Sequence, residues 1–340
     1  MTAPAESRHM PRVPRGWIEE EITFASASGT VYATWLHPLD TGTPRPAALL
    51  IAGSGPTDRN GDSVDGKGNV LRLGSLQAVA RTYAAHGMPS LRYDKLGSGK
   101  TGLGTVGQQQ PKFEMFRDQS ERALATLAGR PGVDRTRLIV VGHSEGGLHA
   151  QLLALGRKPG LPTVRGINLL TPLPTRFLDI LVDQLTNRFQ AAVAAGQITP
   201  EQGRELTRQV TSAMKAIREG KPLPTLDEHL TGIFFPQIVP YLRQIDSFDP
   251  VTLAGQTRAD LHVLLACGDV DVQVGCPDVH RLADGFTGLY RAPRFVTLTG
   301  VNHVLKEDPT GWAYLQDLPY SARLGQEIGR FAAALRAPTP

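Results

Sequence analysis

A serine flanked by glycines stands in the setting that best suits covalent catalysis. Ser144 is the centre of residues 142–146 (GHSEG), which an apolar run, Leu138–Val141, precedes and an apolar helical segment follows. This order predicts a tight strand-to-helix turn, in which the positions two residues either side of the serine have no room for side chains. The turn would expose the hydroxyl as a nucleophile. It would also aim the backbone N–H of Glu145, beside the start of a helix, at the same point.

A base is needed as well, because a serine hydroxyl at its ordinary pKa is a poor nucleophile. Among nine histidines, His303 lies just beyond the last predicted strand and before the C-terminal helical segment. Catalytic groups of open α/β sheets gather in such loops at the carboxyl edge of the sheet. His143, on the tight turn itself, cannot readily reach the hydroxyl, and His149 lies on the following helix. We therefore predict His303 as the base.

The imidazole in turn needs a carboxylate that fixes its tautomer and stabilises its cation. The predicted strand Leu261–Ala266 ends in residues 267–274 (CGDVDVQV), so either Asp269 or Asp271 could serve. An aspartate after a strand is also a common turn residue, and Asp269 suits that structural role better. With either one, the nucleophile, acid and base follow one another in that order along the chain.

The negative oxygen of a tetrahedral intermediate needs a second backbone donor. Residues 53–61 (GSGPTDRNG) follow the apolar run Ala47–Ala52, and their glycines would let the backbone approach a substrate carbonyl closely. We predict the N–H of Ser54 as this donor, with Gly53 and Gly55 lying against the substrate. Three polar residues are predicted to order the loop by hydrogen bonds: Asp58, Arg59 and Asp62.

Eight short runs rich in aliphatic and β-branched residues predict the strands that position these loops: Trp17–Phe24, Thr30–His37, Ala47–Ala52, Pro89–Tyr93, Leu138–Val141, Val164–Leu170, Leu261–Ala266 and Phe295–Leu298. The first two alternate apolar and polar residues around Ser26–Gly29 and predict a hairpin. The later runs are nearly continuous in apolar residues. Helical segments at 70–86, 113–128, 146–155 and 321–335 alternate with them. The fold class is therefore α/β, with a mostly parallel eight-stranded sheet and helices on both faces.

One long stretch interrupts this alternation and predicts a helical cap inserted at residues 172–255. It contains no convincing strand, and residues 176–195 and 200–219 form two amphipathic helical patterns. About 80 residues is far more than an ordinary crossover needs. The core would comprise residues 17–171 and 256–340, after a tail at 1–16. The cap side chains predicted to line a substrate pocket, or else to pack the cap core, are Leu178, Leu181, Phe234, Phe235 and Tyr241.

Composition narrows the class of partner. The 340 residues are 41% hydrophobic and 20% charged, which is typical of a folded globular chain. The 36 basic and 32 acidic residues are scattered, so nothing predicts a nucleic-acid surface. No apolar run approaches the roughly 18 residues of a membrane span, and the N-terminus lacks the layout of a secretory signal. The expected partner is a small molecule, and the oligomeric state, including a homo-oligomer, is left open.

Nothing in the sequence predicts a metal or a cofactor. Residues 97–102 (GSGKTG) fit a dinucleotide-binding pattern, but the following residues are too rich in Gly, Gln and Pro to open a helix. No spacing of Cys or His residues is typical of a metal site. The only cysteines, Cys267 and Cys276, are expected to be free thiols, which favours a cytoplasmic location.

These motifs resemble those of the α/β-hydrolase superfamily over essentially the whole chain. More narrowly, residues 53–61 resemble the G-S-G-P-x-D-R-[DN]-G loop of bacterial carboxylesterases and serine aminopeptidase-like hydrolases. Residues 92–95 (RYDK) and 142–147 (GHSEGG) resemble two further segments of that branch, although Leu96 stands where arginine is frequent. The family's G-x-x-D-x-x-V acid segment matches Gly268, Asp271 and Val274, and this resemblance favours Asp271 over Asp269. In many relatives a proline directly follows the valine of this segment, whereas here Gly275 and Cys276 stand between Val274 and Pro277.

The resemblance implies hydrolysis of a carboxylic ester through an acyl-enzyme intermediate. An aminopeptidase or amidase could use the same residues, and so could an acyltransferase. A non-catalytic ligand-binding module is disfavoured, because the full set of serine, aspartate and histidine is intact. The fold alone does not identify the substrate.

Overall fold

The computed structural model describes residues 7–65, 67–106 and 111–336, so residues 1–6 of the predicted tail lie outside it. The strands are β1 (Trp17–Ser26), β2 (Gly29–Pro38), β3 (Arg45–Ile51), β4 (Ser63–Val64), β5 (Val70–Leu71), β6 (Ser90–Tyr93), β7 (Val133–His143), β8 (Val164–Leu170), β9 (His262–Gly268) and β10 (Arg294–Leu298). The helices are α1 (Ser75–Ala85), α2 (Phe113–Ala128), α3 (Gly146–Ala154), α4 (Phe177–Ala194), α5 (Pro200–Glu219), α6 (Glu228–Thr231), α7 (Val239–Ile245), α8 (Pro250–Ala254), α9 (Cys276–Asp284) and α10 (Ala322–Arg336).

Eight strands form one sheet in the order β1-β2-β6-β3-β7-β8-β9-β10. The first two make the predicted antiparallel hairpin, with Ser26 opposite Gly29, and β2 also runs antiparallel to β6. From β6 to β10 every neighbouring pair is parallel. The predicted fold class is confirmed. Because the parallel strands end at one edge, the loops after β3, β7, β9 and β10 all lie along it.

Both faces of the sheet are covered by helices, which explains the unbroken apolar runs in its central strands. Alternate residues of β3 point to opposite faces. Leu49 and Ile51 pack in a cluster with residues of α2, α3 and α9, whereas Leu50 packs in a second cluster with residues of α1 and α10. No helix in the described ranges combines the length and the apolar character that a bilayer crossing would need.

Several elements differ from the prediction. The helix expected from Val70 begins only at Ser75, because Asp62 Oδ1 accepts hydrogen bonds from the N–H groups of Leu73 and Gly74 (both 2.8 Å) and holds the chain in a turn. Val70–Leu71 instead pairs with Ser63–Val64 as a small hairpin. Helix α9 was not predicted at all, although the proline next to its first residue is a common start signal.

Between β8 and β9 the chain forms five helices, α4 to α8, in what we call the helical insertion (residues 172–255). The two amphipathic patterns correspond to α4 and α5. At the start of α5, Thr199 Oγ1 accepts a hydrogen bond from Gln202 N, and the Gln202 side chain returns one to Thr199 N. Residues 220–249, which follow these two patterns, contain the short helices α6 and α7.

Asp246, at the end of α7, ties the insertion together, and we expect its loss to destabilise the fold. Its buried carboxylate accepts hydrogen bonds from Arg176, Arg218 and the N–H of Leu178. Asp246→Ala should lower the free energy of unfolding by about 2 kcal/mol, less than for a fully buried pair because both arginines retain access to water. Urea denaturation measures this. Glu205→Ala, which removes an exposed ion pair on α5, is the control and should leave the midpoint unchanged. Equal midpoints for both variants would contradict the role of Asp246.

Candidate active site

The turn that carries Ser144 has the backbone expected of a strained strand-to-helix junction. Ser144 has a φ of 52°, a value that L-residues rarely adopt, and it directly follows β7. A Cβ on Gly142 would lie 2.2 Å from the carbonyl oxygen of Gly146, and one on Gly146 would lie 2.2 Å from that of Ile51. Both glycines are therefore required by close backbone packing. The turn holds the serine above the carboxyl end of the central strand β7.

The loop after β3 lies directly against this serine. A Cβ on Gly53 would be 3.1 Å from Ser144 Cβ and 3.2 Å from His143 Nδ1, so a side chain there would crowd the nucleophile. Gly55 has a φ of 70°, the left-handed conformation that favours glycine. The adjoining turn is closed by Thr57, whose hydroxyl donates to the carbonyl of Ser54 at 2.8 Å. Ser54 itself is exposed. The predicted oxyanion loop and the predicted nucleophile are therefore neighbours.

His303 and Asp271 are in direct contact. His303 Nδ1 and Asp271 Oδ2 are 2.8 Å apart, and both side chains are almost completely buried. The other carboxylate oxygen, Oδ1, accepts hydrogen bonds from the N–H groups of Gln273 (2.8 Å) and Val274 (3.0 Å). These contacts leave Oδ2 for the imidazole alone. A proton on Nδ1 then leaves Nε2 as the basic nitrogen of a neutral ring.

Asp269, the alternative acid, is engaged elsewhere. Its carboxylate accepts a hydrogen bond from the N–H of Gly300 at 2.6 Å, at an exposed position. This contact ties the loop after β9 to the loop after β10. Asp269 therefore bonds to the backbone of a neighbouring loop, whereas Asp271 contacts the histidine ring.

His143 has a supporting role that the sequence reasoning missed. Its Nε2 donates to the backbone carbonyl of His303 at 2.8 Å, and the two imidazole rings are 5.0 Å apart between centroids. Burial and the neighbouring His303 lower the pKa of His143 to about 4, so the ring is neutral at pH 7. The sequence signal for this contact was the position of His143, which directly precedes Ser144 at the end of a strand and so faces the loop that carries His303.

In the described part of the chain no hydrogen bond joins Ser144 Oγ to the His303 ring, although both residues lie beside His143. Hydrogen bonds between nucleophile and base are often long until substrate binds. The N–H groups of Ser54 and Glu145 likewise donate to no acceptor within the described residues. Two unengaged backbone donors beside a serine can bind a developing oxyanion.

Solved structures share this architecture. The esterase Pf2001 of Pyrococcus furiosus aligns with a TM-score of 0.56 at 13% identity, covering 97% of this chain and 98% of that one. Est1E of Butyrivibrio proteoclasticus, solved with ferulic acid bound, aligns with a TM-score of 0.56 at 15% identity, covering 92% and 98%. The hydrolase GrgF of a Penicillium species gives 0.54 at 15%, covering 94% and 98%. This chain has the α/β-hydrolase fold. No protein-family model matches its sequence, and no curated protein sequence does either.

The loop after β3 is anchored to this hydrolase fold by a buried ion pair that the sequence reasoning did not predict. Arg59 donates to Asp94 through its guanidinium and through its backbone N–H, at 2.8 and 2.9 Å. Asp94 follows β6 directly. Of the residues predicted to order the loop, Asp58 also closes a turn with Asn60 and Asp62. Burial and the charge of Asp62 raise the pKa of Asp58 to about 6.

A buried polar cluster lies behind the nucleophile and reaches the helical insertion. Tyr241 of α7 donates to Glu145 Oε1 at 2.8 Å, and His149 Nε2 is 3.9 Å from the same oxygen. Burial and the charge of Lys95 lower the pKa of His149 to about 3. Glu145 Oε2 has no partner among the described residues.

Four of the predicted pocket residues lie in or against one apolar cluster of the insertion, and Phe235 is exposed. Leu178 and Phe234 are buried in the apolar cluster of the insertion together with Tyr241. The hydroxyl of Tyr241 also donates a hydrogen bond to Glu145, which follows the serine. Their contact with substrate stays a prediction.

The two depressed histidine pKa values predict loss of stability in acid. Between pH 6.5 and about 4, His143 and His149 stay neutral when folded but bind protons when unfolded, so the free energy of unfolding falls as pH decreases. Below about pH 6 the folded Asp58 carboxyl binds a proton that the unfolded chain does not, which raises the free energy of unfolding. This single group offsets only part of the effect of the two histidines. Urea unfolding at pH 7 and 4.5 measures the change. His149→Phe should reduce it, and the exposed control His280→Phe should not. A pH-independent midpoint would contradict the prediction.

The cysteines correct the sequence analysis. Cys267, the sixth residue of β9, and Cys276, the first of α9, form a disulfide instead of the free thiols expected. The pairing depends on α9 folding back against the end of β9, which composition could not reveal. It also removes the argument given above for a cytoplasmic location. The bond closes the loop 268–275, which carries Asp271.

Reduction of this bond should lower activity, because it frees both ends of the loop that holds Asp271 against His303. A disulfide closing so short a loop stabilises by about 2 to 3 kcal/mol. Treatment with a phosphine reductant, with thiol content measured by mass, should decrease kcat/KM several-fold. The double variant Cys267→Ala/Cys276→Ala should not respond to the reductant. Full activity of the wild-type chain after complete reduction would contradict this role.

Proposed function

We propose that this chain is a serine hydrolase that cleaves carboxylic esters through an acyl-enzyme intermediate. The observation that carries the proposal is the 2.8 Å contact of His303 Nδ1 with Asp271, at the same edge of the sheet as a serine held at a φ of 52°. A buried carboxylate that orients an imidazole, at the sheet edge that carries a strained serine, supports acyl-transfer catalysis.

In the proposed cycle Ser144 Oγ attacks the ester carbonyl while His303 Nε2 takes the hydroxyl proton. The carbonyl oxygen becomes an oxyanion, which the N–H groups of Ser54 and Glu145 stabilise. His303 then protonates the leaving alcohol as the C–O bond breaks, and the acyl group stays on the serine. A water molecule, deprotonated by His303, attacks this acyl-enzyme and releases the carboxylic acid. Asp271 stabilises the imidazolium in both halves.

The helical insertion is proposed to be the cap that selects the acyl chain. It follows β8, and its Tyr241 hydroxyl bonds to Glu145 beside the nucleophile. This contact supports a position of the insertion within reach of a bound acyl group. Leu178 and Phe234 belong to its apolar cluster and are proposed to shape the pocket from behind.

A panel of p-nitrophenyl esters with acyl chains from two to sixteen carbons tests the activity. We expect saturable hydrolysis with a preferred chain length. The p-nitroanilides of the same acids and of amino acids test the amidase and aminopeptidase alternatives, and added alcohol tests acyl transfer to an acceptor other than water. Faster turnover of an anilide than of the matched ester would replace the ester assignment. A chain that turns over none of these compounds would contradict the proposed function.

A further inference from the structure

Lys95 is a buried lysine behind the active site that the proposed cycle does not use. It stands two residues after β6 and is 6% exposed. Its ammonium group donates to the backbone carbonyl of Gly53, two residues after the neighbouring strand β3. A buried cation aimed at one backbone carbonyl is uncommon, because burial disfavours the charged form.

The accepting carbonyl belongs to the peptide group whose other end is the Ser54 N–H. The described backbone contains no cis peptide bond, so the C=O and N–H of this group point in opposite directions. Lys95 therefore lies at the oxygen end of this peptide group, and the proposed oxyanion position lies at its N–H end. Resonance couples the two ends, since a positive charge at the oxygen withdraws electrons from the nitrogen and makes its N–H a stronger donor.

Burial opposes the charge of this ammonium group, and Glu145 supports it. Burial lowers the pKa of Lys95, and the negative charge of Glu145 opposes that decrease. One carboxylate oxygen of Glu145 accepts from Tyr241, and the other has no hydrogen-bond partner among the described residues. The Glu145 carboxylate thus acts on the Lys95 ammonium group through its charge, while the hydrogen bond of the ammonium group goes to the Gly53 carbonyl.

We propose that Lys95 is a positioning residue that polarises the peptide group of residues 53 and 54 and strengthens its N–H as an oxyanion donor. This role rests on the proposed function and deepens it by assigning a charge to the oxyanion hole. The effect grows as charge develops on the substrate oxygen, so it stabilises the transition state more than the bound ester. A lysine that only anchored the loop would affect folding and substrate binding instead.

Two variants separate these roles. Lys95→Met removes the charge but leaves Glu145 as a lone buried carboxylate, which endangers folding. The double variant Lys95→Met/Glu145→Gln removes both charges and keeps the Glu145 backbone N–H position. Lys306→Met is the matched control, because Lys306 is also buried and donates to backbone carbonyls, those of Tyr314 and Gln316.

The kinetic readout is the division of the effect between kcat and KM on the best ester. Both Lys95 variants should lose at least about tenfold in kcat with KM within about threefold. Affinity for an alkyl trifluoromethyl ketone of the same chain length, which forms a tetrahedral oxyanion on serine, should fall in parallel. The control variant should have a lower melting temperature, but its affinity for the ketone should not decrease relative to its affinity for the ester. Folded Lys95 variants with kcat and ketone affinity within twofold of wild type would overturn the proposal.

An NMR measurement tests the contact of Lys95 with Gly53 without any substrate, and it can be made on the wild-type chain. The sequence contains three Gly-Ser pairs, at residues 53–54, 74–75 and 97–98, so carbonyl-labelled glycine with ¹⁵N-serine gives three amide signals. The Gly53 carbonyl carbon should resonate downfield of that of Gly74, whose oxygen accepts a hydrogen bond from the neutral N–H of Ala78. The 53–54 signal alone should move in the double variant. An upfield Gly53 signal would contradict the ammonium contact. An inactive wild-type chain with the expected spectrum would instead refute the proposed function and leave the contact intact.

Discussion

Ser144→Ala should reduce kcat for the best ester by at least about 10³-fold, because removal of a nucleophile leaves only the oxyanion donors and substrate binding. KM should change little, since the hydroxyl contributes to the reaction more than to binding of the ester. Initial rates with the p-nitrophenyl ester of preferred chain length measure this. Ser247→Ala, at an exposed serine of the helical insertion, is the control and should retain wild-type rates.

The same position predicts a stability difference that does not depend on substrate. With φ at 52°, alanine keeps the strain of the turn, whereas glycine adopts this conformation readily. Ser144→Gly should therefore be more stable than Ser144→Ala by about 1 kcal/mol, while both are inactive. An active Ser144→Ala variant would reject the serine as the nucleophile. Equal stability of the two variants would contradict the strained turn.

Asp271→Asn should lower kcat by about 10² to 10⁴-fold without unfolding the chain. The reason lies in the separate use of the two carboxylate oxygens. Oδ1 accepts from the N–H groups of Gln273 and Val274, so the carbonyl oxygen of asparagine should take that place. Its NH₂ group would then face His303 Nδ1 and force the ring proton onto Nε2. A protonated Nε2 cannot accept the proton of Ser144.

Asp269→Asn is the matched control, because it lies two residues away on the same loop and bonds to the N–H of Gly300 instead of the imidazole. It should change kcat by less than about threefold, since surface hydrogen bonds contribute little. The pair is compared by steady-state kinetics together with thermal melting. A large loss in the Asp269 variant and none in the Asp271 variant would reverse the assignment of the acid.

The sequence predicted best where a local rule fixes the backbone. The glycines at 142 and 146 follow from the lack of room around a strand-to-helix turn, and the apolar runs follow from a sheet buried on both faces. The order of strands and helices therefore placed Ser144 and His303 at the correct edge. Asp271 was favoured over Asp269 by resemblance alone, because both are aspartates on one loop and only their contacts separate them.

The features that were missed depend on contacts between distant segments. The Cys267–Cys276 disulfide requires α9 to pack against the end of β9, and the late start of α1 requires Asp62 to bind the backbone of Leu73 and Gly74. The contact of Lys95 with Gly53 joins loops that are 42 residues apart in sequence. Periodicity and propensity describe neighbours along the chain and carry no information on such pairs.

Labelling with a fluorophosphonate, followed by peptide mass mapping, tests the central claim most directly. The reagent reacts with a serine only when a base and an oxyanion site activate it, so labelling reports the assembled site and not the substrate. We expect one adduct per chain, located on Ser144, with labelling slowed strongly in Asp271→Asn and only slightly in Asp269→Asn. Folded wild-type chain that takes up no label, or carries it on another residue, would contradict the account.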